Sequence, residues 1–189
     1  MPSPTFEHAE TRRFTVDEVL RMVEAGILSE GEPYELIGGK LIMVPPQGPE
    51  HATTNTVLRD RLIEAYRGRA HVRQECPLQV SADSLPEPDL AVVRGEARDY
   101  VRAHPKVEDA VLVVETAVAS HAADHSKAAE YARGGVPVYW RLDVPARRIE
   151  VHTEPQPDGR YRVVRVLGGD DEVEVPETGE RWPAQGLFA

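Results

Sequence analysis

A single cysteine, Cys76, stands in 189 residues, so no intramolecular disulfide can form. With no CxxC spacing and no histidine beside it, it reads as an inert, partly buried thiol. No apolar run approaches the ~20 residues that cross a bilayer, and the opening MPSPTFEHAETRRF lacks the apolar stretch of a signal peptide. The expectation is a cytoplasmic protein in reducing surroundings with no membrane partner. Lysine is scarce too: Lys40, Lys106 and Lys127 stand against nineteen arginines. Arginine is always charged, whereas a compact lysine can have its pKa tuned, so a lysine placed among carboxylates points to a chemical role. Internal repeats and low-complexity tracts are also absent.

The net charge of −10 excludes a simple nucleic-acid coat protein, which needs positive charge against phosphate. The charge is uneven. Residues 150–180 hold nine acids and three arginines, while residues 59–73 hold five arginines and two acids. An acidic chain of this kind can still turn one basic face to a polyanion; an ordinary solvated helix surface gives the same count. The length and the 41% hydrophobic content suit one globular domain: residues 14–176, with a flexible segment 1–13 before it and a peripheral tail 177–189 after it.

Along the chain, Thr15 and Glu18 form a capping-box pattern ahead of Val16, Val19, Leu20 and Val23, which predicts a short amphipathic helix ending at Gly26. PYELIGGKLIMVPP reads as a β-hairpin about Gly38-Gly39, stopped by Pro45 and Pro46. His51 opens a second helix whose stripe is Val57, Leu58, Leu62 and Tyr66, ending at Gly68. Residues 71–81 suggest a strand interrupted by Pro77, and residues 95–109 a short helix. A helix near 122–133 ends at Gly134-Gly135. VPVYWRLDV is a further strand, with Trp140 in the core. RRIEVHT and GRYRVVRVL form a hairpin about Pro157, Asp158 and Gly159.

The chemistry gathers between residues 89 and 131. EPDLAVV and VLVVET contain apolar runs at 90–93 and 111–114, each the length of a buried strand. One begins at Asp89 and the other ends at Glu115. In the helix that follows, Asp124, Lys127 and Tyr131 share one face. If the strands are neighbours, two acids and a lysine meet at one sheet edge. Magnesium prefers one or two carboxylates completed by carbonyl, water and substrate phosphate, so Asp89, Glu115 and the Thr116 carbonyl are candidate ligands for Mg²⁺ or Mn²⁺. Lys127 is the candidate for orienting water or stabilising phosphate charge. Arg59, Arg61 and Arg67 on the second helix are candidates for holding a nucleic-acid backbone. The plain alternatives are a surface ion pair between Asp124 and Lys127, a solvent-facing Glu35, and a capping His51.

The stretches FTVDEVLRM, YELIGGKLIMVPP, EPDLAVV, LVVET and KAAEYARGGVPVYWRLD together resemble the Uma-type restriction endonuclease family over nearly the whole chain. The resemblance implies the PD-(D/E)XK nuclease fold, an α/β mixed sheet flanked by helices, here with an N-terminal helix and hairpin. It also implies metal-dependent cleavage of DNA, commonly by a homodimer. The family's aspartate after proline falls on Asp89, its strand-end glutamate on Glu115, and its lysine, displaced into the following helix, on Lys127. Glu35 and His51 match recurrent family positions and become supporting residues. Ala117 occupies the usual lysine position of the superfamily. Lys40 stands where members commonly carry an acid, and Ala117 and Val118 where they commonly carry a serine, Ser120 matching a second one. These departures keep a second expectation in view: a weak or inactive nuclease fold that binds nucleic acid or protein.

Overall fold

The computed structural model describes residues 11–29, 31–118 and 122–189, with side chains from Lys127 onward in the last segment. Helix α1, Val16–Glu24, carries the expected reciprocal cap between Thr15 and Glu18. Strands β1 (Tyr34–Ile37) and β2 (Lys40–Met43) form the expected hairpin, with Tyr34 opposite Met43 and Glu35 opposite Ile42. Its turn needs glycine at both positions: φ is +54° at Gly38 and +77° at Gly39. Arg13 donates to the Gly38 carbonyl and Arg12 pairs with Glu18, so both side chains are tied down; residues 1–10, the rest of the segment expected to be flexible, lie outside the described residues.

Helix α2 (Pro49–Ala65) buries Thr54, Asn55, Leu58 and Leu62. The expected stripe is corrected at Val57, which is exposed: at 100° per residue it falls on the flank, and Asn55 takes the inward position instead. Strand β3 covers Ala70–Gln74 only, shorter than the expected 71–81, because Glu75 turns to φ +49° and Pro77 cannot donate to a ladder. Then come β4 (Leu90–Arg94), β5 (Ala110–Ala117), helix α3 (Ala122–Gly134), β6 (Val138–Asp143), β7 (Arg148–Pro155) and β8 (Tyr161–Gly168). Residues 97–100 and 107–109 supply only short 3-10 turns. Two short strands, β9 (Glu172–Glu174) and β10 (Arg181–Pro183), pair by themselves.

The six-stranded sheet has the order β3-β4-β5-β6-β7-β8. Every neighbouring pair is antiparallel except β5 and β6, which run parallel and are joined by α3. Alternation along the strands separates two cores. On one face Leu90, Val92, Leu112, Val114, Trp140 and Leu142 pack against Leu58 and Leu62 of α2. On the other, Ala91, Val93, Val113 and Tyr139 pack against Tyr131 and Ala132 of α3. Gly134 lets α3 seat closely, since a Cβ there would lie 2.7 Å from the Val80 carbonyl oxygen. The sheet is therefore covered by one helix on each side, and both helices reach the same strand ends.

The expectation of a peripheral tail is overturned. Trp182, Ala184, Leu187 and Phe188 are buried in the α2-side core. Their apolar area has nowhere cheaper to go, since α2 alone does not cover that face of a six-stranded sheet. Among the described residues no helix is long and apolar enough to cross a membrane.

Candidate active site

Strands β4 and β5 are neighbours, with Leu90 opposite Val114, which brings Asp89 and Glu115 to adjacent strand ends. Asp89 continues the ladder with its side chain: the Thr116 N–H donates to Asp89 Oδ2 at 2.6 Å. A carboxylate held by a backbone amide is fixed in direction without any rotamer freedom to spare. Alternation turns Glu115 and Thr116 to opposite faces, so α3 meets the first and α2 the second.

On the α3 side Lys127 lies between two carboxylates. Its Nζ is 3.1 Å and 3.4 Å from Glu115 Oε1 and Oε2, and 2.9 Å from each oxygen of Glu35. Glu35 is only 5% exposed although it sits on a hairpin outside the main sheet. One helical turn past Lys127, the buried Tyr131 hydroxyl donates to Glu115 Oε1 at 2.6 Å. The i, i+4 spacing aims the ammonium and the phenol at one acid.

On the α2 side Gln47, His51 and Asn55 repeat at intervals of four. Gln47 Nε2 donates to Glu75 Oε1 at 3.0 Å and to Asp89 Oδ1 at 3.3 Å. Ionised carboxylates only accept, so the other end of that amide, Oε1, faces His51 Nδ1 at 2.8 Å. His51 Nε2 lies 3.1 Å from Asp89 Oδ2. Nε2 thus meets an acceptor, while Nδ1 lies between the Gln47 amide oxygen and the Asn55 Nδ2 donor. Burial alone would lower the His51 pKa, but the hydrogen bond and charge of Asp89 outweigh it and hold it above the ordinary value. Asn55, 3.2 Å from Nδ1, is tied in turn to the Thr116 hydroxyl at 2.6 Å.

Acidic groups crowd this corner: Glu35, Asp89 and Glu115 gather about the Lys127 ammonium and the His51 ring. Burial pushes the Glu115 carboxyl up to about 8, against the attraction of Lys127 and reinforced by Asp89 and Glu35. Burial likewise raises Glu35, Lys127 opposing and Asp89 adding to the effect. Glu87 is raised by burial and by Glu35. Lys127, which burial alone would lower, is held above its usual range by Glu115 and Glu35, and so stays cationic. A surplus of crowded hard oxygens is what a divalent cation relieves, and the chemistry of this donor set fits one. Among the described residues no three His, Cys, Asp or Glu side chains converge tightly enough to hold an ion alone. An ion here would take Asp89, Glu115 and the Thr116 carbonyl and complete its shell with water or substrate oxygen.

The sequence candidates Asp89, Glu115, Lys127, Glu35 and His51 therefore form one cluster. The arginines do not join it. Arg61 donates to the Gly186 carbonyl and stacks on Trp182, 4.3 Å from the ring centroid; Arg67 pairs with Glu64. Arg59 pairs with Asp60 and reaches Gln74. Any partner of Asp124, and the position of Ser120, lie outside the described residues. Gln47, Asn55, Glu75 and Glu87 join the cluster with no sequence signal beyond the Gln-x-x-x-His-x-x-x-Asn spacing, and Tyr131, on the Lys127 face, gains a partner in Glu115.

A crystal structure from Anabaena variabilis, described as "a putative nuclease belonging to DUF820", superposes with a TM-score of 0.73 over 93% of this chain and 97% of that one, at 22% identity. No curated protein matches the sequence. The shared fold is a mixed α/β one, with a six-stranded mixed sheet carrying a helix on each face. The sequence matches the Uma2 family, described as "Putative restriction endonuclease", over residues 16–184, and the chain belongs to that family.

Proposed function

We propose that the protein is a metal-dependent endonuclease that hydrolyses phosphodiester bonds of DNA, acting in the cytoplasm as a homodimer that reaches both strands. The observation that carries the reading is the Lys127 ammonium held between Glu35 and Glu115, beside Asp89 on the paired strand end. Asp89, Glu115 and the Thr116 carbonyl would hold Mg²⁺ or Mn²⁺. Such an ion supplies Lewis-acid polarisation of the phosphate and a more acidic water.

This chain's own residues do the rest. Thr116 N–H and His51 fix Asp89 in direction; Lys127 and Tyr131 fix Glu115. Lys127, pinned on two sides, keeps a positive charge where negative charge grows on the phosphoryl oxygens, with no reorganisation needed at the moment of reaction. The exposed Arg67 and the half-buried Arg59 can exchange their neighbouring acids for backbone phosphates without reading bases.

The test is plasmid nicking with Mg²⁺ and with Mn²⁺, by wild type and by Asp89→Ala, Glu115→Ala and Lys127→Ala. Wild-type cleavage that falls at least ~100-fold in each variant supports the reading. Cleavage retained by all three excludes this site. A folded wild type that binds DNA without cutting it, indifferently to these substitutions, returns the answer to a binding module.

A further inference from the structure

The two strand-end carboxylates are each held by one oxygen. Glu115 Oε1 receives the Tyr131 hydroxyl at 2.6 Å and Lys127 at 3.1 Å, whereas Oε2 has, among the described residues, only the 3.4 Å contact to Lys127. Asp89 Oδ2 receives the Thr116 N–H at 2.6 Å and His51 at 3.1 Å, whereas Oδ1 has, among the described residues, only Gln47 at 3.3 Å. Strong donors saturate one oxygen of each acid and leave the other lightly covered.

We propose that Tyr131 is a positioning residue for cation binding: by saturating Oε1 it turns Glu115 so that Oε2 is the oxygen offered to a divalent ion. The inference rests on the metal reading above. Tyr131 itself would not touch the ion. Its ring is fully buried and packs on Tyr139, with centroids 5.4 Å apart, so the hydroxyl cannot drift away from Glu115. Gln47, by contrast, is exposed and holds Asp89 Oδ1 by a long bond, which makes it the cap that an arriving ion displaces.

Direct Mn²⁺ binding, followed by titration calorimetry on the full chain, tests this without relying on cleavage. Tyr131→Phe removes one oxygen and keeps the ring. It is expected to weaken Mn²⁺ binding by about tenfold, the usual effect of losing a partner of a ligating side chain. The Mn²⁺ concentration that half-saturates plasmid nicking should rise by the same factor, with the rate at saturating Mn²⁺ falling less. Gln47→Ala, at an exposed position that does not endanger folding, is expected to bind Mn²⁺ at least as tightly as wild type. Wild type that binds Mn²⁺ while Tyr131→Phe binds it equally well overturns the inference alone, as does weaker binding by Gln47→Ala. Wild type that binds no Mn²⁺ overturns the metal reading and the inference together.

Discussion

Glu115 is the carboxylate on which burial presses hardest, with Asp89 and Glu35 adding to the effect. Its folded-state pKa, up to about 8, lies well above its ordinary 4.5. The folded chain therefore holds this proton more tightly than the unfolded one. The resulting stability is complete below pH ~4.5 and is lost as pH rises through about 8. Glu35 and His51 are also raised, so they act in the same direction. Without divalent ions, the melting temperature should fall as pH is taken from 5 to 8.5, and Glu115→Gln, which cannot ionise, should fall less steeply. Equal slopes in thermal melts at pH 5, 7 and 8.5 would contradict this assignment. Adding Mn²⁺ at pH 8 should restore stability to wild type and not to Glu115→Gln, because a ligand that binds only the native state stabilises it.

At the scale of elements, the hairpin β1–β2 delivers Glu35 into the site from outside the main sheet. It is held there by its turn. Gly39 donates to the Asp83 carbonyl at 2.7 Å and Gly38 to the Ser84 hydroxyl at 2.8 Å. A Cβ on Gly39 would stand 2.6 Å from Arg13 Cβ, on a backbone already at positive φ. Gly39→Ala should cost about 1–3 kcal/mol in chemical denaturation and loosen the Glu35–Lys127 pair. The elements themselves were largely legible. Capping at Thr15, the Gly-Gly turn, the apolar runs after Asp89 and before Glu115, and the glycine stop of α3 all obey local rules, and local rules survive folding. What the sequence did not show was which side chain of α2 turns inward. Asn55 displaces Val57 there because its partner, Thr116, lies 61 residues away, and no local period encodes that. The Glu35 contact was equally hidden: strand alternation gives a face, and only tertiary packing says whether that face meets water or Lys127.

At the scale of the molecule, residues 182–188 behave as part of the core. Arg61 of α2 reaches the Gly186 carbonyl, and Arg147 reaches the carbonyls of Gln185 and Ala189. Burying each large apolar side chain is worth roughly 1.5–3 kcal/mol. Removing Trp182, Leu187 and Phe188 together would cost roughly 5–9 kcal/mol, a large share of the ~5–15 kcal/mol by which a typical domain is stable. A chain cut after Pro176 should lose its cooperative melt and its near-ultraviolet circular dichroism; a sharp transition within a few degrees of wild type would show that the tail is dispensable. The same segment has a bearing on timing. It lies under α2, and α2 carries the histidine that holds Asp89. A nascent chain on the ribosome is expected to seat that helix fully only once residues 182–188 have left the exit tunnel. The acid cluster should therefore take its final form only after translation has passed that point.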